Sequence, residues 1–311
     1  MEIYAPIYAI NFKCIADKCR HSCCIDWEID IDEKTYEKYK SLKTDFADEI
    51  LSNVETDDGV PHFSLDEKGR CKNLDERGLC RIISNIGEEY LCDICRLHPR
   101  FFNRVGNRIE MGLGLCCEEA VRLTLTDTRH FELVKIGENN DEEYVPNESN
   151  FDAISARDGV ISFIESEKCS FFEKLSRIEK RYEIKTDFKT NTEWLEYLFS
   201  LEILDIEWQK ILKSAENTEQ KYDYTKFNSI FEGFFKYLVY RHVSIAESEN
   251  SFSGRLAFAT LGVKVVGYLA AREENLTEAR LFDIIRLYSS EIEYSEQNTA
   301  DIIFELETEQ I

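Results

Sequence analysis

"LCDICRLHPRFFNRV", residues 91–105, sets two cysteines two residues apart and follows them with a run of arginines. A C-x-x-C spacing serves a redox dithiol, a zinc knuckle or one arm of a larger metal site, so its meaning depends on the other cysteines. Ten of the eleven fall in the first third, at Cys14, Cys19, Cys23, Cys24, Cys71, Cys80, Cys92, Cys95, Cys116 and Cys117, and only Cys169 lies beyond. A single free cysteine is ordinarily a small buried hydrophobe, and Cys169 beside "SFF" reads that way. Ten in about a hundred residues do not, and they point to a metal or iron–sulfur site.

Spacing leaves the metal open. Four-cysteine zinc sites usually pair two short C-x-x-C arms, and here only Cys92 and Cys95 have that spacing, while "CIADKCRHSCC" runs C-x4-C-x3-C-C. Neighbouring side chains diverge, so Cys23 and Cys24 are expected to serve different sites, or one of them to pack. Thiolates gathered from separated loops suit an iron–sulfur cluster as well as zinc. His21, His62 and His98 are further candidates to complete a zinc site, although a lone loop histidine is ordinarily a hydrogen-bonded side chain. The C-x3-C-x2-C pattern of radical initiators is absent, because Asp26 stands where its third cysteine would be.

Around these cysteines residues 1–135 read as a loop-rich module with three of the four prolines. "DEKTYEKYKSLKTDFADEILSNV" reads as one helix, with Ile31, Tyr36, Tyr39, Leu42, Phe46 and Ile50 at roughly helical spacing. "RCKNLDERGLC" turns at Glu76 to Gly78, a hairpin joining Cys71 to Cys80, and "NRVGNRIEMGLGL" is a second hairpin about Gly106-Asn107. "CCEEAVRLTLTD" then opens a helix. The acidic, polar "IGENNDEEYVPNESN", residues 136–150, is the expected boundary.

Beyond it, five segments carry apolar residues three and four apart: "SFIESEKCSFFEKLSRIEKRYE", "TEWLEYLFSLEILDIEWQKILKSAEN", "YTKFNSIFEGFFKYLVYRHVSIAE", "SGRLAFATLGVKVVGYLAAREE" and "LTEARLFDIIRLYSSEIEYSEQ". Asn275 with Glu278 reads as a capping box opening the fifth. The aromatic stripes Trp194, Tyr197, Phe199 and Phe231, Phe234, Phe235, Tyr237 read as core. The expected fold is mainly α: a cysteine-rich module of short hairpins and loops holding a metal site (1–135), a linker (136–150) and a C-terminal helical bundle (151–311).

Composition narrows the function. With 38 Lys and Arg against 61 Asp and Glu the net charge is −23, which repels a phosphate backbone and argues against nucleic acid as a partner. The opening "MEIYAPIYAINFKC" lacks the basic leader and apolar core of a signal peptide, and "LAFATLGVKVVGYLAA" is too short for a span and carries Lys264 in its middle. A cytoplasmic protein with free thiols and no membrane partner is expected. No G-x-G-x-x-G follows a strand, and P-loop, G-x-S-x-G and H-E-x-x-H motifs are absent.

"FKCIADKCRHSCCIDWEIDID", "GLCRIISNIGEEYLCDICRLHPRFF" and "EMGLGLCCEEAVRLTL", in that order, resemble the FliB family of flagellin lysine-N-methylases, within a superfamily of cysteine-cluster proteins described as zinc- or iron-chelating. The motif-bearing resemblance spans residues 4–125. It implies metal ligands at Cys14, Cys19, Cys23, Cys24, Cys71, Cys80, Cys92, Cys95 and Cys117. Two departures stand out: Cys116-Cys117-Glu118 replaces the family's Ser-Cys-Pro, and His98 stands where tyrosine is usual, which reads as a surface variation while leaving open a histidine contact to metal or substrate.

The resemblance implies a lysine N-methyltransferase that moves a methyl group from S-adenosylmethionine to ε-amines of flagellin, with a [4Fe–4S] cluster, or zinc as the alternative. Such chemistry requires a neutral amine, since a lysine ammonium, with a pKa of about 10.4, has no lone pair. Glu88, Glu89, Tyr90 and Asp93 lie near two thiolates, and of these Tyr90, Glu89 and Asp93 are candidates to take the proton; Arg96 and Arg100, from the run Arg96, Arg100, Arg104 and Arg108, are candidates to bind the cofactor. The cluster either orients the cofactor or only folds its module. Two other classes stand beside this one: a non-catalytic zinc- or iron–sulfur-binding module that grips a basic protein partner, and an electron-transfer or redox-sensing protein.

Overall fold

The computed structural model describes residues 1–25, 27, 29–126, 131–139, 151–216, 218–221 and 223–310. Two compact units emerge, one of Lys13–Phe101 and the other of Met1–Phe12 with Phe102–Ile311. The boundary expected at 136–150 is thereby corrected. Residues 133–138 form a strand that pairs with the chain's first strand and so ties the start of the chain to the larger unit; residues 140–150 lie outside the described residues. Strand β1 (Glu2–Pro6) and helix α1 (Ile7–Ile10) open that larger unit.

The Lys13–Phe101 unit holds β2 (Ile29–Asp30), α2 (Glu33–Ser41), α3 (Asp45–Ser52), β3 (Val54–Asp57), β4 (Val60–Phe63), α4 (Arg81–Ile86) and α5 (Asp93–Leu97). The single helix expected over 32–54 is two helices. Asp32 caps α2 by accepting from the Thr35 N–H, Leu42 turns extended, and Thr44 caps α3 by accepting from the Ala47 N–H, so the apolar period runs across a cap that restarts the helix. The order β2-β4-β3 makes a small antiparallel sheet. Its β3–β4 turn places Asp58 and Gly59 at φ 45° and 86°, the left-handed pair that a two-residue hairpin turn requires. In the expected Cys71–Cys80 hairpin the Asp75 N–H donates to the Leu79 carbonyl at 2.8 Å and Leu74 bridges Cys80. The core comprises Ile29, Ile31, Tyr39, Ile50, Phe63 and Ile82 together with Cys71 and Cys92.

The larger unit continues with β5 (Arg100–Val105), β6 (Arg108–Leu113), α6 (Glu118–Thr126) and β7 (Leu133–Glu138), giving a sheet of order β5-β6-β1-β7. β1 runs parallel to β6, with Ile3 opposite Ile109, and antiparallel to β7. The expected turn at Gly106 is present, with φ 58°. Eight helices follow among the described residues: α7 (Ala153–Ser166), α8 (Phe171–Arg181), α9 (Asn191–Ser200), α10 (Ile206–Glu216), α11 (Asn228–His242), α12 (Glu249–Ala270), α13 (Glu278–Tyr288) and α14 (Glu296–Gln310).

The first two expected helical segments each break in two: Ser170 with Glu173 forms a capping box that starts α8, and in the second the chain leaves α9 at Leu201 and restarts at Asp205, whose carboxylate accepts from the Glu207 N–H at 2.8 Å at the start of α10. The fifth starts at Thr277, which accepts from the Arg280 N–H, in place of the expected Asn275. α12 is apolar almost all round and packs against α11, α13 and α14, so it forms the centre of the bundle. Phe231, Phe234, Phe235 and Tyr237 are core, as their spacing indicated, whereas Phe199 is exposed. No helix among the described residues is long and apolar enough to cross a membrane.

Candidate metal centre

Six thiols of the Lys13–Phe101 unit come together: Cys23, Cys24, Cys71, Cys80, Cys92 and Cys95. Cys23 and Cys24 lie within hydrogen-bond reach of one another, and so do Cys92 and Cys95. Cys24 senses the charges of Cys71 and Cys80, Cys71 those of Cys80 and Cys92, and Cys95 those of Cys24 and Cys80. All are free thiols.

Local structure explains how four separate stretches deliver them. Cys80 and Cys92 are the residues from which α4 and α5 start, and Cys95 follows Cys92 by nearly one helical turn. The Cys71 N–H donates to the Cys24 carbonyl at 2.9 Å, which joins the first cysteine group to the hairpin. Of the two outcomes expected for Cys23 and Cys24, service to different sites or packing of one, the second is met, since Cys24 packs against the core while Cys23 is exposed. The chain turns at these residues, so their side chains do not alternate as in a strand, and both belong to the same sulfur group.

Main-chain N–H groups face three of the sulfurs: Asn73 toward Cys71, Ile82 and Ile83 toward Cys80, and Cys95 toward Cys92. Such donors favour the thiolate over the thiol. Burial opposes them and pushes Cys71 and Cys80 up. Within each close pair one proton is shared: the Cys24 thiol holds Cys23 down to about 7 while Cys24 is raised, and Cys95 likewise lowers Cys92 and is itself raised.

The other expected ligands are placed differently. Cys14 is exposed and accepts from the Ala16 N–H at 3.4 Å, and the Cys19 thiol donates to the His21 carbonyl at 3.1 Å. Cys117 belongs to the larger unit and packs against the cluster of Ala5, Ala9 and Met111; its neighbour Cys116 is pushed up to about 12 by burial, with the Tyr294 hydroxyl beside it. His62 is buried in β4, opposite Asp30 and Glu55. Burial pulls His98 down to about 4, so it is a neutral imidazole at physiological pH.

The candidate acid–base residues are held in local structure. Asp93 pairs with Arg96 at 2.6 Å, and its N–H donates to Asp32 at 2.9 Å. The Glu89 carbonyl accepts from Lys38, whose ammonium lies 3.9 Å from the centre of the Tyr90 ring. Arg96 is half-exposed in its pair with Asp93, while burial and then the Arg96 charge lower Arg100. The sequence reading missed Tyr39 and Asn73. Tyr39 is fully buried beside Cys92, Cys95 and Cys80, its hydroxyl donating to the Tyr90 carbonyl, and the Asn73 side chain faces Cys71 while accepting from Asn53 at 3.1 Å. Both sit on stretches that the cysteines already marked, and Asn73, two residues after Cys71, was the available signal.

Comparison of the chain with protein-family models, with curated proteins and with solved structures gives no match.

Proposed function

We propose that the Lys13–Phe101 unit carries a cysteine-ligated [4Fe–4S] cluster and that the chain is a lysine N-methyltransferase using S-adenosylmethionine, with flagellin as the substrate that the resemblance implies. The observation that carries the metal reading is the gathering of six free thiols in one small unit, five of them in or against its core and three facing main-chain N–H groups. Six sulfurs this close cannot all ionise without a positive charge among them, because like charges raise one another's pKa.

Spacing suits either metal in part. Cys23 with Cys24 and Cys92 with Cys95 lie within hydrogen-bond reach, near the roughly 3.8 Å that separates thiolates on one zinc, whereas among the described residues no three of these sulfurs lie within 4.8 Å of one another. Ligands that each hold a different iron tolerate the wider spread. Four of Cys23, Cys24, Cys71, Cys80, Cys92 and Cys95 would hold the group, which would supply the cationic charge that lets the thiolates stay ionised in an apolar setting. Their setting among Ile29, Ile31, Phe63 and Ile82 supports a role in folding the unit, as the second of the two roles weighed above requires.

Methyl transfer to lysine rests on the resemblance, and the net charge of −23 suits a lysine-bearing protein substrate. The test is purification without oxygen, with iron, sulfide and zinc measured per chain alongside the visible spectrum, then a labelled-methyl assay on flagellin. About four irons with matching sulfide are expected. One colourless zinc per chain would replace the cluster, and a metal-loaded protein that leaves flagellin unlabelled would leave the non-catalytic module that recognises a basic partner.

A further inference from the structure

Asn73 lies two residues after Cys71 in the Cys71–Cys80 hairpin and is 2% exposed, and the two polar ends of its side chain fare differently. Oδ1 accepts from the Asn53 amide at 3.1 Å. Nδ2 is buried and completes no hydrogen bond among the described residues, although the side chain faces the Cys71 sulfur. An unsatisfied buried donor is costly, and native structures keep one where a bound ion or a functional role accounts for it. A residue needed only to meet Asn53 would use its oxygen, so the nitrogen calls for a partner of its own.

The backbone holds both amides where they are. The Asn73 carbonyl accepts from the Arg81 N–H at 2.8 Å at the start of α4. Asn53, just past α3, donates its N–H to the Ile50 carbonyl at 3.0 Å, and its own carbonyl accepts from the Ser64 N–H at 2.8 Å and the Ser64 hydroxyl at 3.0 Å. The main-chain N–H of Asn73 also faces Cys71, so one residue presents two kinds of N–H group to one sulfur. Turning the Asn73 amide over would set its oxygen against that sulfur, acceptor against acceptor. A thiol is a weak acceptor, whereas a thiolate accepts N–H groups strongly. A metal held at the gathered sulfurs would make Cys71 the thiolate that Nδ2 lacks.

We propose that Asn73 is a positioning residue of the metal centre, its Nδ2–H donating to the Cys71 thiolate in the metal-bound protein and so holding Cys71 in place as one of the ligands. This role rests on the metal reading above and adds to it one ligand singled out of six and a residue beyond the sulfurs. Contacts of this kind orient metal ligands, and N–H groups on the sulfurs of a cluster also raise its reduction potential, because they offset the negative charge that reduction adds.

The test compares full-length wild type, Asn53→Leu, Asn73→Leu and the double variant, all purified without oxygen. Each is measured for metal per chain, retention of that metal against EDTA, midpoint potential where the metal is iron, and melting by circular dichroism. A metal-loaded wild type and about tenfold weaker retention in Asn73→Leu are expected. In an iron centre the reduced-to-oxidised ratio at a fixed potential is expected to fall about tenfold, a shift of about 59 mV to more negative potential. Asn53→Leu, which keeps the donor, is expected to lose less of both. The double variant strands neither amide and carries the same comparison with Asn53→Leu if Asn73→Leu does not fold. Retention and potential that are equal in Asn53→Leu and in the variants lacking Asn73 would return the pair to holding the hairpin, with the metal centre intact. A wild type without metal would overturn the metal reading and this role with it.

Discussion

Alanine replacement of Cys71, Cys80, Cys92 or Cys95 separates a metal centre from a sulfur-rich core by magnitude alone. Cys92 is 0% and Cys71 6% exposed, so each sulfur removed leaves a small void. If the thiols only pack, the loss resembles that of one or two methylene groups, about 1–1.5 kcal/mol including the void. If they hold a metal, one lost ligand forfeits the metal's contribution to folding. For structural zinc in small peptides that is about 10–16 kcal/mol, as large as the whole stability of an ordinary domain, about 5–15 kcal/mol. The two readings thus differ by nearly tenfold. Each variant is expected to lose its metal and expose the Lys13–Phe101 unit to protease, whereas Cys169→Ala, between α7 and α8, leaves both unchanged. Metal analysis with limited proteolysis and melts in the presence and absence of chelator reads this directly. Four variants that keep their metal content and melt within a few degrees of the wild type would refute the metal reading.

Two further outcomes concern the larger unit. Arg157 and Glu110 are fully buried and paired, with Arg108 on the other carboxylate oxygen, so Arg157→Met strands a carboxylate with only Arg108 to compensate it and costs about 3 kcal/mol in urea denaturation. A Glu110→Leu, Arg157→Met double variant recovers part of that loss, since apolar replacement of both partners removes the stranded charge. Burial lifts the Glu291 carboxyl from 4.5 to about 7, against the N–H groups of Leu204 and Asp205 that favour its anion. The native state therefore binds a proton that the unfolded chain has released over this window. This contribution is full below pH 4.5 and is lost as the pH rises through 7, on the order of 3 kcal/mol at most. Glu291→Gln removes that term, so its stability relative to the wild type rises between those pH values in parallel denaturation series.

What the chain reveals of its own fold follows the range of the interactions involved. Turns at Gly106 and Gly78 were legible because a positive φ is a local demand that few residues meet. Helical periodicity located the bundle, since packing on one face imposes the same spacing wherever the helix lies. Breaks within it were harder. Thr44 and Ser170 each restart a helix inside a periodic run, and a hydroxyl residue in such a run reads equally well as a solvated position until its N–H partner is seen. The division of the chain was not legible at all. β1 pairs with β6 and β7 more than a hundred residues away, and no local pattern records which distant strand completes a sheet.

The candidate centre shows the same limit in sharper form. Counting and spacing found the cysteines, but which of them converge depends on two contacts between separate stretches: the Cys71 N–H on the Cys24 carbonyl, and Asp32 on the Asp93 N–H, which joins the start of α2 to the start of α5. Adjacent cysteines can lie side by side when the chain turns at them, and at Cys23 and Cys24 it does, with Cys24 packed against the core and Cys23 exposed. The N–H groups of Asn73, Ile82, Ile83 and Cys95 belong to local turns and first helical turns, so the chain builds its anion-favouring geometry within a few residues of each sulfur and only then gathers the sulfurs by tertiary contact. Packing alone does not require N–H donors at buried thiols, which are weak acceptors. A cation held at the gathered sulfurs, as proposed, would require them, because each thiolate it stabilised would need its remaining lone pairs satisfied in a core otherwise lined by isoleucine and phenylalanine.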